Sequence, residues 1–518
     1  MSEAKGVDAA VRSHAVTMPN EIAVLSDQGI LTWAELNQRA DWLANGFRRA
    51  GVKPGDYVAW LGRNRYEFPI FVVAARRARA VVVGLNWRLT PAELAAIITD
   101  CSPKLIVTES ELAPSIAACA GEGKVTRLVY LENAGKHTSI AQLLASGHEP
   151  MPALAPDPLD PVFLYYTSGT TGKPKGVLHG LARTDAAVAA ETPFGWGPGS
   201  ITLIVAPVFH LTGSVWTQSS LVIGAQQVVS ASTSAALILS AIDRWQVTHA
   251  VLVPTMIRMV LSEMQNTNLC VDSLEIVTYG GAPMTQPLLR EAMTHLRCRF
   301  AQGYGLTETN CPATFLNPED HVLDGPRTRL LGSVGRGYAG IEIRVTDPAT
   351  GKILGVGEVG EVQIRTPWRM LGYRNEPAMT AAVLDDQGWF RSGDGGYLDE
   401  EGYLFLTDRI NDMIITGGEN VMPSEVENVL ASHVAVAEAA VFGVNDPIWG
   451  ELIVAAVVSR TGQQISKDQL IQFSRARLAH YKCPKEIVVV DELPRSATGK
   501  VLRRELRVRF KRPEQLGT

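Results

Sequence analysis

The sequence has no apolar run near the roughly 18 residues that a membrane-crossing helix needs. Its first residues, MSEAKGVDAAVRSHAV, lack the charged-then-apolar pattern of an export signal. A cytoplasmic chain is expected, with no transmembrane segment and at most weak peripheral membrane contact. Cysteine is scarce: six residues (Cys101, Cys119, Cys270, Cys298, Cys311, Cys483) are scattered with no CxxC pair, which excludes a disulfide framework or zinc knuckle and points to reduced thiols. The ten histidines show no ligand spacing such as HExxH, which argues against a metal held by protein groups alone. There is also no basic excess. With 48 Lys+Arg against 53 Asp+Glu and a net charge of −5, nucleic acid is excluded as the main partner. No repeat or low-complexity tract is visible. One local basic cluster, Arg76, Arg77 and Arg79 within FVVAARRARAVVV, reads as the solvated end of a helix running into a strand, not as a membrane-surface patch.

What the chain does have is apolar bulk. It contains 518 residues, of which 46% are hydrophobic and 19% charged, enough for several subdomains with substantial cores. Short β-branched runs alternate with helical periodicity, the pattern of layered α/β structure with mostly parallel sheets. Strands are expected at Asp56–Leu61, Leu105–Thr108, Val162–Tyr166, Ile201–Val205, His249–Val253 and Glu275–Tyr279. Helices are expected at Trp33–Ala50, Pro91–Asp100, Ala235–Trp245 and Gln286–Leu296. Around Ile341–Arg365 the texture changes to strands and turns, suggesting a small antiparallel, barrel-like subdomain. A shorter α+β unit follows. The expected organisation is a large N-terminal domain over residues 1–409 and a small mobile lid domain over residues 410–518.

The strongest chemical signal is YTSGTTGKPKGV, Tyr166 to Val177. Glycines let a backbone turn its N–H groups inward, and hydroxyls add donors, so a loop of Thr167, Ser168, Gly169, Thr170, Thr171 and Gly172 can wrap polyphosphate oxygens. Lys173 and Lys175 add positive charge. A Walker A loop is excluded, because the glycine spacing is wrong and Lys173 is followed by Pro174 instead of a hydroxyl residue. A second signal, QGYGLTE, spans Gln302 to Glu308 and contains Gly303, Tyr304, Gly305 and Thr307. An aromatic between glycines can lie against a purine, and a carboxylate beside phosphates suits Mg²⁺. Further signals are the GGAP run (Gly280, Gly281, Ala282, Pro283), Asp394 in RSGDGGYLDEEGYL, Arg409 in LTDRINDMI, and Lys500 in PRSATGKVLRREL.

Together these separated motifs resemble the adenylate-forming superfamily of acyl- and aryl-CoA synthetases, peptide-synthetase adenylation domains and firefly luciferase. Bacterial fatty-acyl and aryl-CoA ligases are the most similar branch, and the resemblance extends over nearly the whole chain. It implies that the phosphate loop with Lys175 binds ATP and that Tyr304 stacks on adenine beside Gly281–Pro283. It gives Thr307 a contact with the α-phosphate, and Glu308 and Thr167 the Mg²⁺. Asp394 and Arg409 would hold the ribose. Lys500 would be the catalytic cation that stabilises charge on the α-phosphate, while Arg503, Arg504, Arg507 and Arg509 are read as solvated. Gly417, Gly418 and Glu419 in ITGGENVMPSEVE, together with Trp449, resemble residues along the coenzyme A path. His210 in PVFHLTGSVW resembles a gate between the acid and nucleotide pockets. The family's hinge position is occupied by Asn411, and Arg79-Ala80 and Gly84 also depart from the usual pattern.

The expected reaction is ATP-dependent ligation of a carboxylic acid to coenzyme A through an acyl-adenylate. From Thr192 through Ile242 there is no Asp or Glu, so a buried substrate ammonium would find no partner there. That favours a fatty, alicyclic or aromatic acid. Alternatives are an acyl-AMP ligase that loads a carrier protein and a silent acyl- or nucleotide-binding protein. Homodimerisation is left open.

Overall fold

The computed structural model describes residues 6–120, 127–132, 137–167, 174–338, 340–409, 412, 414–416, 419–446, 449–495 and 501–510. Two large sheets dominate it. In the nine-stranded sheet the central strands Arg299–Tyr304, Ile276–Gly280, His249–Leu252, Ile201–Ile204, Gln226–Val229 and Ile22–Ser26 run parallel, with antiparallel strands at both edges. In the seven-stranded sheet, Pro161–Thr167, Val81–Gly84, Tyr57–Leu61, Leu105–Thr108 and Leu128–Tyr130 are parallel, and Lys175–Gly180 and Gly372–Tyr373 complete one antiparallel edge.

Side-chain alternation divides these strands between layers. Val58, Trp60 and Val82 point into a core shared with helices Trp33–Arg49, Glu67–Arg77 and Leu211–Ile223 and with residues of the other sheet. Their neighbours Ala59, Leu61, Val81 and Val83 pack outward under helix Pro91–Cys101. The outer face of the nine-stranded sheet is covered by Ala235–Trp245, Pro254–Met264 and Gln286–Leu296. The result is five layers, helix and sheet alternating, with runs such as Leu105–Thr108 buried on both faces. Capping boxes set the starts of two of these helices, through Thr32 with Glu35 and Thr90 with Glu93, each worth about 1 kcal/mol.

Helix Glu67–Arg77 lies in the middle layer and is buried at every position. Its basic end is therefore not solvated, contrary to the expectation from sequence. Arg76 donates to Asp185 Oδ1 at 2.6 Å and Gln218 Oε1 at 2.7 Å. Arg77 reaches Asp8 Oδ1 at 2.6 Å and the Asn37 carbonyl at 2.7 Å. Arg79 forms a two-pronged pair with Asp160 at 2.6 and 2.8 Å. Desolvated guanidinium groups persist only when matched in this way, and the partners lie far away in sequence.

The segment after Ile341 is a four-stranded antiparallel sheet in the order Glu342–Thr346, Gly360–Arg365, Trp389–Leu398, Leu404–Arg409. The small C-terminal domain has a five-stranded sheet built on the long hairpin Val436–Asp446 and Gly450–Ser459, with Glu486–Val490 added in parallel. One face packs on helices Pro423–Ala431 and Lys467–Arg475, the other on Arg503–Arg509. Two arginines of that last helix are not simply solvated either. Arg503 pairs with Glu427 at 2.7 Å and Arg507 with Asp412 at 3.1 Å, tying the C-terminal helix back to the start of the domain. Arg504 and Arg509 are exposed. Among the described residues no helix is long and apolar enough to cross a membrane.

Candidate active site

In sheets of this kind, ligands bind beyond the carboxyl ends of the parallel strands, and several sequence signals gather there. Strand Pro161–Thr167 turns back into Lys175–Gly180, with Thr167 opposite Lys175 in register. The loop between them, Ser168, Gly169, Thr170, Thr171, Gly172 and Lys173, lies outside the described residues. Its base is anchored. Lys175 Nζ stands 5.4 Å above the ring of Tyr373, and the Tyr373 hydroxyl donates to Glu308 Oε1 at 2.8 Å. The Glu308 carbonyl accepts from Met370 N, also at 2.8 Å. Thr167 and Glu308 are thus joined through Lys175 and Tyr373. Sequence reasoning missed Tyr373; it sits in LGYRN, which carries no chemical signature of its own.

The neighbouring strand ends are stripped of side chains. Gly280 and Gly303 are paired in register, and a Cβ on Gly280 would fall 2.3 Å from the Gly303 carbonyl oxygen. At Gly281 the chain takes φ +74° before Ala282 and Pro283, and a Cβ on Gly305 would come within 2.7 Å of the Cys311 carbonyl. At Gly280 and Gly305 glycine is thus required by the close approach of neighbouring backbone. Gln302, buried in strand Arg299–Tyr304, and Thr307, just beyond its end, belong to the same segment. The Tyr304 hydroxyl donates to Asp394 Oδ2 at 2.8 Å, joining two residues that were identified separately. Asp394 is cross-strand neighbour to Arg409.

His210 is the N-cap of helix Leu211–Ile223, its ring 4.4 Å from that of Phe209. Asn64, missed from sequence, and Gly84 hold this segment. Buried Asn64 donates to the carbonyls of Ile204 and Ala206 and accepts from Val208 N. Gly84 exists because a Cβ there would lie 2.6 Å from Phe209 Cα. Its absence of a side chain was visible in sequence, but its contact was not. Beside Gly303 lies a block of rings. Phe315 pairs in register with Gly303. Its ring meets Phe194 at 5.3 Å and Tyr338 at 4.5 Å, and Trp216 lies 5.3 Å from Phe194 and 4.4 Å from Trp196.

In the small domain, Asn411, Gly417, Gly418 and Lys500 lie outside the described residues. Glu419 pairs with Thr416, and Thr416 with Gly450. That register sets Trp449 alongside the strand that leads into Gly417. Trp449 is 48% exposed, so it is not a core residue. Burial pushes the thiols of Cys101, Cys298 and Cys311 up to about 12. Among the described residues no group of three or more His, Cys, Asp or Glu could hold a metal. The carboxylate of Glu308 with the hydroxyl of Thr167 fits Mg²⁺ completed by phosphate oxygens and water, not a metal caged by protein.

Residues 11–374 match the AMP-binding enzyme family and residues 425–500 the AMP-binding enzyme C-terminal domain. The chain is 38% identical over 505 residues to the fatty acid–[acyl-carrier-protein] ligase ScoC of Streptomyces coeruleorubidus, covering 96% of this chain and 95% of that protein. It is 36% identical over 496 residues to feruloyl-CoA synthase of an Amycolatopsis species, covering 95% and 96%. The crystal structure of ATP-bound MatB from Rhodopseudomonas palustris superposes with a TM-score of 0.88 at 29% identity, over 98% of this chain and 99% of that one. Matched in order through both its large and its small domain, the chain belongs to the AMP-binding enzyme family, within the adenylate-forming superfamily.

Proposed function

We propose that the protein is an ATP-dependent acid–CoA ligase. Acid and ATP give acyl-AMP and pyrophosphate, then acyl-AMP and coenzyme A give acyl-CoA and AMP. The observation that carries this reading is the pairing of Tyr304, at the carboxyl end of its strand, with Asp394, an aromatic face joined to a ribose-type acceptor. The acid's carboxylate is ionised at neutral pH and is itself the nucleophile, so no general base is required. Glu308, oriented by Tyr373, and Thr167 would hold Mg²⁺, which neutralises phosphate charge when bound. The loop from Thr167 to Lys175 grips the phosphates, Thr307 touches the α-phosphate and Arg409 joins Asp394 at the ribose.

Lys500 stabilises the charge that builds on the α-phosphate as the carboxylate attacks. We assign residues 1–409 to nucleotide and acid binding and residues 410–518 to a lid hinged at Asn411. One lid position presents Lys500; the other brings Gly417, Gly418, Glu419 and Trp449 to the coenzyme. His210 gates the acid pocket. The ring block and the absence of Asp and Glu from residues 192–242 support an uncharged fatty, alicyclic or aromatic tail. A second reading, loading of a carrier protein, is favoured by the likeness to ScoC; the exposure of Trp449 favours the free coenzyme.

The test is a panel of free acids with ATP, scored for AMP release with coenzyme A or with acyl carrier protein. Release that depends on coenzyme A supports the reading, and release only with the carrier replaces it. If no acid supports ATP–pyrophosphate exchange, the reading is wrong. Lys500→Ala should slow adenylation by ~3–4 kcal/mol while sparing thioester formation from supplied acyl-adenylate.

A further inference from the structure

Across the seam between the two domains, one carboxylate is held from both sides. Arg258, on helix Pro254–Met264 of the nine-stranded layer, donates through Nη1 to the Ala437 carbonyl at 2.9 Å, and its Nε lies 3.6 Å from Glu438 Oε1. From within the small domain, Arg495 Nη2 donates to Glu438 Oε2 at 2.6 Å. Arg495 is not an arbitrary partner. It forms an antiparallel bridge with Val501, and Leu502 N donates to the Pro494 carbonyl at 2.8 Å. The segment bounded by these pairs contains Lys500. Burial lowers the Arg258 guanidinium below its ordinary value; Glu438 opposes this, and Arg495 and Arg460 add to it. Glu438 is the nearest carboxylate to Arg258 at the seam, with a smaller contribution from Glu291.

We propose that Glu438, gripped by Arg258 and Arg495, is a latch that holds the small domain with the base of the Lys500 segment against the large domain, the position used for adenylation. This rests on the two-position lid put forward above. Arg258 and Glu438 are positioning residues, acting through Arg495 on the placement of Lys500. Without the latch the adenylation position is less populated, while the thioester-forming position loses nothing.

The experiment measures the half-reactions separately on the full chain, using the acid that the panel shows to be activated fastest. ATP–pyrophosphate exchange reports adenylation. Thioester formation from the chemically prepared acyl-adenylate and coenzyme A reports the second step, and also that the variant is folded. Arg258→Ala should lower the exchange kcat about tenfold with the KM for ATP unchanged and the thioester rate within about twofold. Glu438→Gln should lose more, because it removes the one charge that Arg258 and Arg495 both face. Arg258→Lys should recover part of the rate. Equal losses in both half-reactions, or a loss confined to thioester formation, overturn the latch. Wild-type protein that exchanges with no acid overturns the functional reading itself.

Discussion

Removing the hydroxyl of Tyr373 takes from Glu308 the donor 2.8 Å from its Oε1. A hydrogen bond to a charged group contributes ~1.5–3 kcal/mol, and here its role is orientation. Tyr373→Phe should therefore lower kcat/KM for ATP by roughly tenfold or more and raise the Mg²⁺ concentration needed for half-maximal rate. An unchanged Mg²⁺ requirement would remove Tyr373 from the site. Arg79 poses a different residue-scale question. Its φ of 52° is a conformation that favours glycine, yet its guanidinium pairs with Asp160. Arg79→Gly loses the pair but relieves the backbone; Arg79→Ala loses the pair and keeps the strain. Thermal melting should place the alanine variant below the glycine variant.

Helix Leu211–Ile223 carries His210 at its start and Trp216 one turn and a half further on, facing Phe194 and Trp196. Trp216→Ala should open room beside the ring block, shifting the preference in kcat/KM toward longer or bulkier acids. It should cost ~3–5 kcal/mol of stability by denaturant unfolding. A stability loss with unaltered chain-length preference would place Trp216 in the core but outside the acid pocket. Elements of this kind were largely legible in the sequence. The helices Ala235–Trp245 and Gln286–Leu296 appear with the limits expected from apolar spacing, and most expected strands fall within one residue, because both signals are local. The glycine-rich signals were legible for the same reason: a residue without a side chain advertises a backbone that something must approach. Tyr373, Asn64 and the buried arginines were not, since their roles depend on partners such as Glu308, Ile204 and Asp185, which only the layered packing brings near.

For the whole molecule, acid stability follows from histidines enclosed in the layers. Burial lowers His179 to about 3 and His321 to about 4, and also lowers His249. In the unfolded chain each titrates near 6.5. Below that pH the unfolded state binds more protons than the folded one, so stability falls as pH drops. The slope approaches ~1.4 kcal/mol per pH unit per histidine, levelling off only near pH 4 for His321 and pH 3 for His179. Denaturant midpoints measured between about pH 7.5 and about pH 5 should fall, and His179→Leu should flatten the dependence by one proton. A flat profile in the wild type would contradict the burial of these rings.

The middle-layer helix Glu67–Arg77 also constrains how the protein is made. Two of its arginines are neutralised by Asp185 and Asp8, and the first of these leaves the ribosome long after the helix does. Until Asp185 has emerged, a nascent chain that buried this helix would enclose an unmatched cation, so the large domain must wait half-assembled during translation. A truncated N-terminal fragment should accordingly be a client for chaperones, not a folded module.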